Sequence, residues 1–277
     1  MGRHRRDDHR NPRLEDRYAD RILDGLKHAT DGLTWLGHAT VLLEMGGLRL
    51  LTDPVLGRRV GLLRRVVPTP SESSAERIDA VLLSHLHTDH ADLPSLRRVG
   101  QTVLVIAPPG VVAWLRRHGF GRLRALSAGA TTVIDQVTVE ATPARHDGRR
   151  WPHSSVAEAV GFLVEGERSV YFAGDTDLFP QMASLAGSVD VALLPVWGWG
   201  AALGPGHLDP ERAAKAAAVI RPRVAVPIHW GTLGPPWAHP SRDRLARPAY
   251  AFVEAAARLA PDVEVRLLQP GKRTPLG

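Results

Sequence analysis

The stretch Ser84-His85-Leu86-His87-Thr88-Asp89-His90 concentrates three histidines and an aspartate within six residues. It directly follows the mainly apolar run Asp79 to Leu83, and a short apolar run with polar boundaries predicts a buried strand. The cluster therefore belongs to the loop at the carboxyl end of that strand. Neutral imidazole and carboxylate are ligands that zinc, iron and manganese accept. A solvated polar loop is the alternative, and the further histidines and aspartates of the chain argue against it.

The spacing within this stretch suits two cations. His85 and His87 flank one residue and can bind one ion, whereas Asp89 and His90 come from the next turn and can reach a second. Two metals roughly 3.5–4 Å apart can clamp a reacting centre and generate hydroxide at neutral pH. We therefore predict two divalent metal ions, with zinc as the first expectation and manganese or iron as open alternatives.

Three further candidate ligands each stand just past a run of residues that predicts a strand. They are His146, Asp175 and His229. Loops from adjacent strands converge at such positions, although a single histidine after a strand is more often a surface or core residue. The residues alone leave this choice open.

The pattern His-x-His-x-Asp-His after a strand resembles the signature of the metallo-β-lactamase superfamily. Four neighbouring motifs agree with it: Gly37-His38-Ala39-Thr40, Leu51-Thr52-Asp53-Pro54, Gly174-Asp175-Thr176 and Pro227-Ile228-His229-Trp230. Together they resemble the branch that contains N-acyl phosphatidylethanolamine phospholipase D and the ascorbate phosphate lactonase. The resemblance covers roughly Leu33 to Gln269. It is specific for the superfamily and much less specific for the substrate.

The order of predicted elements agrees with the fold that this resemblance implies. Strands with interspersed helices in both halves predict a layered α/β fold. The resemblance makes this an αββα sandwich, with two sheets face to face, helices outside and the metals at one edge. We expect residues 1–31 to form a charged arm with a short helix from Arg13 to His28, and residues 32–277 to form the hydrolase domain.

The resemblance also implies which side chains hold each ion. It assigns His85, His87, His146 and Asp175 to one ion, and Asp89, His90, Asp175 and His229 to the other, so Asp175 would bridge.

Two further residues have roles near these ligands. The resemblance implies that Asp53 accepts a hydrogen bond from a ligand imidazole and fixes its tautomer. A simple Asp-Pro turn is the alternative. His38 could have a similar role or could be only a buried polar residue, and the choice stays open.

Asp89 and His207 are the two candidate catalytic residues. His207 precedes Asp209-Pro210, which predict the cap and first position of a helix. The resemblance implies that a histidine at this point lies over the metals. The hypothesis is that His207 polarises the substrate or protonates the leaving group; a loop histidine without function is the alternative.

Candidate substrate contacts come from two regions. The long connection Pro54 to Ser74 has apolar residues that are unusual for a disordered linker, so we predict one wall of a pocket, with Arg64 and Arg65 as anion contacts. A surface loop that packs on the body is equally compatible. Trp197 and Trp199 lie among glycines and could shape an apolar pocket or plug the sandwich edge.

Composition limits the remaining classes. The chain has 277 residues and no cysteine, which excludes disulfides, thiolate metal sites and cysteine nucleophiles. A net charge of +6 weakly favours anionic partners. No apolar run approaches the roughly 20 residues of a membrane span, and the charged segment Met1 to Arg17 lacks the apolar core of a signal peptide. We therefore expect a cytoplasmic protein.

The function that these features predict is metal-dependent hydrolysis. The resemblance implies that a hydroxide bridging the two ions attacks a phosphodiester or a lactone, so the expected partner is a small anionic or ester substrate. A nuclease of the same superfamily is the alternative, but no exosite insertion stands out and we expect no stable nucleic-acid complex. An oxidoreductase and a non-catalytic binding module are less favoured, because no flavin domain is visible and the full ligand set is present. The oligomeric state stays open.

Overall fold

Alternating side chains along the second strand bury both faces of one sheet. In this strand, Thr40–Met45, Val41 and Leu43 join the central core, whereas Leu42 between them joins an apolar cluster on the opposite face. Successive side chains of a strand point to opposite faces of the sheet. Every residue of the strand is therefore buried, as is typical of strands covered on both sides.

The computed structural model describes residues 31–148, 157–197, 204–235, 237 and 241–277. The helix predicted over residues 13–28 lies outside these ranges. The strands are β1 Gly32–Gly37, β2 Thr40–Met45, β3 Leu48–Thr52, β4 Arg59–Val60, β5 Leu63–Arg65, β6 Ala80–Leu82, β7 Leu104–Ala107, β8 Leu123–Ala125, β9 Thr131–Ile134, β10 Val137–Pro143, β11 Val160–Glu165, β12 Ser169–Phe172, β13 Val191–Pro195, β14 Val224–Ile228, β15 Leu233–Gly234, β16 Glu264–Val265 and β17 Arg273–Pro275. The helices are α1 Leu93–Val99, α2 Pro109–Arg117, α3 Pro210–Ile220 and α4 Arg242–Leu259, with 3-10 turns at Glu72–Ala75 and Pro180–Leu185.

These strands form two large sheets and one small one. The first sheet has seven strands in the order β17-β1-β2-β3-β6-β7-β8, and the second has seven in the order β16-β14-β13-β12-β11-β10-β9. The neighbours from β3 to β8 are parallel, as are those from β12 through β13 and β14 to β16. Parallel neighbours bring the carboxyl ends of several strands to one edge of each sheet.

Three apolar clusters separate four layers. The largest lies between the two sheets and includes Trp35 from the first and Phe172 from the second. A second cluster packs α3 and α4 on the outer face of the second sheet, and a third packs α1 and α2 on the outer face of the first. The predicted αββα sandwich is therefore confirmed.

The helix predictions differ in how well their ends were placed. Asp209 caps α3 and accepts a hydrogen bond from the backbone of Arg212, as the sequence predicted. By contrast, the sequence of residues 249–259 predicts a helix that in the structure begins earlier, at Arg242. The interior Pro248 and the charged turn before it obscured the start, because proline is unfavourable inside a helix.

The long connection after β3 contains more regular structure than expected. β4 and β5 form a hairpin, and β5 pairs with β15 to complete a three-stranded sheet. At the other end of the chain, β17 pairs with β1, which the sequence did not indicate because its three residues include arginine and proline. The predicted division between an arm and a domain stays a prediction, because the description of the chain begins at residue 31.

Candidate metal centre

The candidate ligands come from six loops that meet at one edge of the sandwich. The loop after β6 carries His85 to His90, and the loops after β10, β12 and β14 carry one candidate each, as expected from the sequence. Two more loops contribute His38, after β1, and Asp53, after β3. The structure thus brings together all the residues predicted as ligands, together with both residues predicted beside them.

The donor atoms form two adjacent clusters. In each, one ligand atom from every residue lies within 4.8 Å of the others. The first cluster consists of His85, His87, His146 and Asp175; the second consists of His38, Asp89, His90 and His229. The first set is the one that the resemblance implied for one ion. In the second set, His38 stands where Asp175 was expected.

Asp175 nevertheless reaches both clusters. Its Oδ2 lies 3.2 Å from His90 Nε2 and its Oδ1 lies 3.3 Å from His229 Nε2, although it belongs to the first cluster. The Nε2 atoms of His90 and His229 are themselves 3.2 Å apart. One carboxylate therefore spans the two groups of imidazoles, which is the position that a bridging ligand needs.

The outer nitrogen of three histidines is committed to a hydrogen bond, so the other nitrogen faces the centre. His90 Nδ1 donates to Asp53 at 2.7 Å and His229 Nδ1 donates to the carbonyl of Trp197 at 2.6 Å. His146 Nδ1 donates to the carbonyl of Gly206 at 2.8 Å. Such bonds fix the tautomer of a metal-binding imidazole.

Asp53 forms a third group of donors with His85 and His90, one histidine from each cluster, and it contacts His90 directly and His85 through Ser84. Its Oδ1 accepts from the Ser84 backbone at 2.7 Å, and its Oδ2 accepts from both Ser84 Oγ at 2.5 Å and His90 Nδ1. Because the Ser84 hydroxyl donates to Asp53, its oxygen accepts from His85 Nδ1, 2.9 Å away. The Asp-Pro turn is thus more than a turn: its fully buried carboxylate orients two candidate ligands.

Two buried atoms indicate that the centre fits cations. Among the described residues, His85 Nε2 and Asp175 Oδ1 find no hydrogen-bond partner. Buried polar atoms without partners are rare because each costs the free energy of its lost hydration. A divalent cation accepted by nitrogen and oxygen donors would satisfy both atoms.

His38 is held rigidly against the second cluster. Its Nε2 donates to Asp89 Oδ2 at 3.0 Å, and its backbone carbonyl accepts from His229 N and from Trp35 Nε1 at 2.9 Å each. His38 and His229 both have positive φ, 55° and 63°. Such backbone conformations are costly for residues other than glycine and are found at functional sites.

Burial sets the charge of most of these histidines. It lowers the pKa of His38 to about 3 and that of His146 to about 4, and it lowers the pKa of His85 and His87 as well. These imidazoles are therefore neutral at pH 7 and their lone pairs are available.

His90 behaves differently in the metal-free protein. Burial acts to lower its pKa, but the carboxylates of Asp175 and Asp89 outweigh burial and raise the pKa well above the usual value. Burial acts to raise the pKa of the Asp89 and Asp175 carboxyls, but the nearby His90 and His229 hold both pKa values well below the usual value. In the metal-free centre, a protonated His90 thus lies beside the carboxylates of Asp175 and Asp89.

His207 lies beside the first cluster, as the resemblance implied. Its Nε2 is 3.9 Å from Asp175 Oδ2, and its ring meets that of His146 edge to face at 4.8 Å between centroids. The side chain is 27% exposed, so it borders both the centre and solvent. Its Nδ1 is buried and has no hydrogen-bond partner in the described part of the chain.

The candidate substrate contacts separate into three cases. Arg64 is exposed on β5, and its role stays a prediction. For Arg65 the prediction is corrected: its buried guanidinium donates to the backbone carbonyls of Gly57, Leu36 and Val55, so it anchors the hairpin and does not face substrate. Burial accordingly lowers the pKa of Arg65 to about 10. Adjacent positions of a strand face opposite sides, which the sequence could not orient without knowing the hairpin.

The role of Trp197 and Trp199 in shaping a pocket stays a prediction. Trp197 reaches the centre through its backbone carbonyl, which accepts from His229. Trp199 lies outside the described residues.

Sequence reasoning missed two charged residues near His207, Asp177 and Arg212. The second aspartate of Gly174-Asp175-Thr176-Asp177 was an available signal.

The described helices give no membrane-spanning segment: each is too short or too polar to cross a bilayer.

Comparison with known proteins identifies one family model. Residues 48–230, more than half of the chain, match the model described as the Beta-lactamase superfamily domain. This range contains the centre from Asp53 to His229.

Three relatives are similar over most of the chain. An uncharacterized protein of Mycobacterium tuberculosis is 34% identical over 82% of this chain and 66% of its own length. A UPF0173 metal-dependent hydrolase of Methanopyrus kandleri is 32% identical over 87% of this chain and 97% of its own length. N-acyl-phosphatidylethanolamine-hydrolyzing phospholipase D 1 of Caenorhabditis elegans is 29% identical over 74% and 65%. The chain thus spans just under two thirds of the mycobacterial and nematode proteins.

A solved structure supports the fold. Igni18, a metallo hydrolase of Ignicoccus hospitalis, superimposes with a TM-score of 0.65, covering 88% of this chain and 97% of that one at 23% identity. At this identity, the likeness concerns the fold alone.

Proposed function

The chain belongs to the metallo-β-lactamase superfamily, and from this premise we propose that it is a metal-dependent hydrolase that works with two divalent cations. The observation that carries the proposal is the position of Asp175. Its carboxylate belongs to the first donor cluster and lies within 3.3 Å of two imidazoles next to it. One carboxylate shared by two adjacent donor sets is suited to two neighbouring cations.

Seven side chains would hold the cations. They are His85, His87, His146 and Asp175 for one, and Asp89, His90, His229 and the shared Asp175 for the other. His38 donates its Nε2 proton to Asp89 and thereby orients that carboxylate. When bound, two such cations supply Lewis acidity and make water a nucleophile at neutral pH. Nitrogen and oxygen donors suit zinc first, with manganese and iron as alternatives.

His207 is the candidate proton donor to the leaving group. It is the histidine beside the centre that is also partly exposed, and its Nε2 is directed near Asp175. A side chain in this position can reach a substrate that approaches from solvent. Positioned proton transfer contributes typically 10²–10⁴-fold to a rate.

The substrate class that we propose is a phosphodiester. Support comes from the nematode relative, which by name hydrolyses a phospholipid, and from His207, a partly exposed imidazole beside the centre that could protonate an alkoxide leaving group. A lactone or another ester is the competing substrate for the same centre, because a carbonyl oxygen and a phosphoryl oxygen make similar demands on cations.

Hydrolysis of bis(p-nitrophenyl) phosphate tests the proposal. The protein would be stripped of metal, then assayed after addition of zinc or manganese, with metal content measured in parallel. We expect turnover only after metal addition, and its loss in Asp89→Ala. The matched control is Asp135→Ala, because Asp135 lies in the turn between β9 and β10, away from the centre.

Three outcomes separate the parts of the proposal. Metal-dependent turnover supports a diesterase. Two metals per chain without diester turnover, but with cleavage of a lactone panel, transfers the proposal to carbonyl substrates. A chain that binds no metal contradicts the proposal altogether.

A further inference from the structure

The turn that carries His207 is tied to two other parts of the molecule. Residues 204–208 lead into α3, and within them the Gly206 carbonyl accepts the Nδ1 proton of His146 at 2.8 Å. Gly206 has φ +87°, and a Cβ there would lie 3.2 Å from His146 Nδ1. The turn therefore approaches the centre as closely as a glycine permits.

Asp177 holds this turn from the side of the second sheet. It lies two residues after Asp175, and its backbone N–H donates to the carbonyl of Arg145 at 3.1 Å. Its Oδ1 accepts from Leu178 N at 2.6 Å, and its Oδ2 accepts from Gly206 N at 3.4 Å. The carboxylate thus links the loop that carries Asp175 to the turn that carries His207.

Arg212 holds the same turn from the side of α3. Its Nη2 lies 2.7 Å from Asp177 Oδ1 and 2.9 Å from Oδ2, and its Nη1 donates to the carbonyl of His207 at 3.4 Å. Its own backbone is fixed by the helix cap at Asp209. Arginine can make this forked contact because its donors lie in one plane, whereas lysine has a single charged centre.

We propose that Asp177 and Arg212 are positioning residues that set the place of the proposed proton donor His207 relative to the metal centre. Asp177 holds Gly206, Arg212 holds Asp177 and the His207 carbonyl, and Gly206 in turn orients His146. Neither residue belongs to the donor clusters. This inference rests on the proposed function for the role of His207, and on the geometry of the turn for everything else.

The geometry explains why the pair would affect the reaction rate more than binding of substrate. His207 Nε2 lies 3.9 Å from Asp175 Oδ2, so a small shift of the turn changes its distance to any group bound at the centre. A misplacement of about 1 Å can cost on the order of 100-fold in rate. The proposed cation ligands do not include Asp177 or Arg212. Of these ligands, His146 is linked to the turn, through the carbonyl of Gly206.

The first test compares Arg212→Gln with Arg258→Gln. Arg258, on α4, forms an exposed 2.8 Å ion pair with Glu211, the residue next to Arg212 on α3. The control therefore removes an arginine–carboxylate contact that is made with the same helix. With a dialkyl phosphodiester, whose alkoxide leaving group needs a proton, and zinc-loaded protein, we expect Arg212→Gln to lower kcat by about 10- to 100-fold with KM within about twofold. Arg258→Gln should keep the parental kcat.

A second readout needs no substrate. Hydrogen exchange should accelerate in the peptide that covers residues 204–208 of Arg212→Gln, in metal-free and zinc-loaded protein, because Gly206 N–H loses a fixed acceptor. Exchange in α4 should stay unchanged. Arg212→Lys retains the charge and loses the fork, so it should recover only part of the protection and of kcat. If Arg212→Gln does not fold, Asp177→Asn, which keeps the shape of the side chain, takes its place.

A double substitution separates positioning from general stability. If Arg212 acts through His207, then His207→Ala with Arg212→Gln should be no slower than His207→Ala alone, since neighbours that act as a unit are not additive. Additive losses, or parental kcat and unchanged exchange in Arg212→Gln, overturn the inference. Should the parental protein cleave no diester, the proposed function fails while the exchange comparison still decides whether the pair holds the turn.

Discussion

The two ends of strands β12, β13 and β14 carry polar residues of different kinds. At the carboxyl ends lie Asp175 and His229, both at most 4% exposed and surrounded by other ionisable side chains. At the amino ends, Asp190 accepts from Ser169 N at 2.9 Å and lies 3.3 Å from the exposed Arg168. A cavity of about 470 Å³ lies at the amino ends.

The difference shows which features mark a functional edge in this molecule. The amino-end charges are partly exposed and satisfied by neighbours, so they need no ligand. The carboxyl-end groups are buried and crowded, and their backbone includes costly positive φ angles at His38 and His229. Arg221 at the amino-end cavity also has a positive φ, 53°, but it ends α3, where this conformation is common. Perturbed and strained residues concentrate at functional sites, whereas a roomy cavity lined by satisfied groups can be only a surface depression.

The largest predicted effect comes from comparing Asp175→Ala with Asp190→Ala, two aspartates at opposite ends of the same strands. Asp175→Ala should bind fewer than two metals and lose about a thousandfold in turnover, because several kcal/mol of charge stabilisation disappear. Asp190→Ala should retain both. Metal content and kcat of the two variants check this. Equal losses in both would mean that the amino end also serves the reaction.

The next effect distinguishes the two donor clusters. Asp53→Ala should weaken binding of both cations by roughly 10- to 100-fold, because Asp53 orients His90 directly and His85 through Ser84. Ser84→Ala should weaken only the ion bound by His85. Titration calorimetry with zinc resolves the two affinities. Equal weakening of both ions by Ser84→Ala would contradict the separate routes.

A smaller effect concerns protons. Asp175 and Asp89 raise the pKa of His90 despite its burial. In the metal-free protein at pH 7, both ring nitrogens of His90 should therefore carry a proton. Cation binding must displace one of these protons, so about one proton should be released per chain. Calorimetry of zinc binding in two buffers of different ionisation enthalpy measures this number. If the heat of binding is the same in both buffers, no net proton is released, which would contradict the protonation of His90.

The raised pKa of His90 also makes the stability of the metal-free protein depend on pH. A histidine whose pKa is raised by folding stabilises the folded state below its unfolded pKa, near 6.5. That contribution is lost as the pH rises through the folded pKa of His90. Unfolding of the metal-free protein by urea at several pH values should show it, and Asp190→Ala should leave it unchanged.

The sequence predicted the layers and the ligands because both have local signals. Short apolar runs mark the strands, and every proposed ligand follows such a run or belongs to the stretch from His85 to His90. The family resemblance added the pairing of ligands across the chain, which spacing alone left open.

The remaining parts depend on contacts between distant residues. His38 could not be assigned, since its role rests on Asp89, 51 positions away. Asp177 and Arg212 are 35 positions apart, and neither has a neighbour in sequence that indicates the other. Arg65 was predicted to face an anion because the sequence does not distinguish two adjacent arginines. Only the pairing of β5 shows that Arg64 faces outward and Arg65 faces inward.

The smallest predicted effect is at the amino end, where Arg168→Gln removes the partly exposed contact with Asp190. Exposed ion pairs contribute about 0.2–1 kcal/mol, because water screens them and long side chains lose freedom. The variant should therefore unfold at a slightly lower urea concentration and bind both cations with parental affinity. If it instead lost metal or turnover, the two ends of these strands would be coupled, and crowding and strain would no longer suffice to distinguish the functional edge from the structural one.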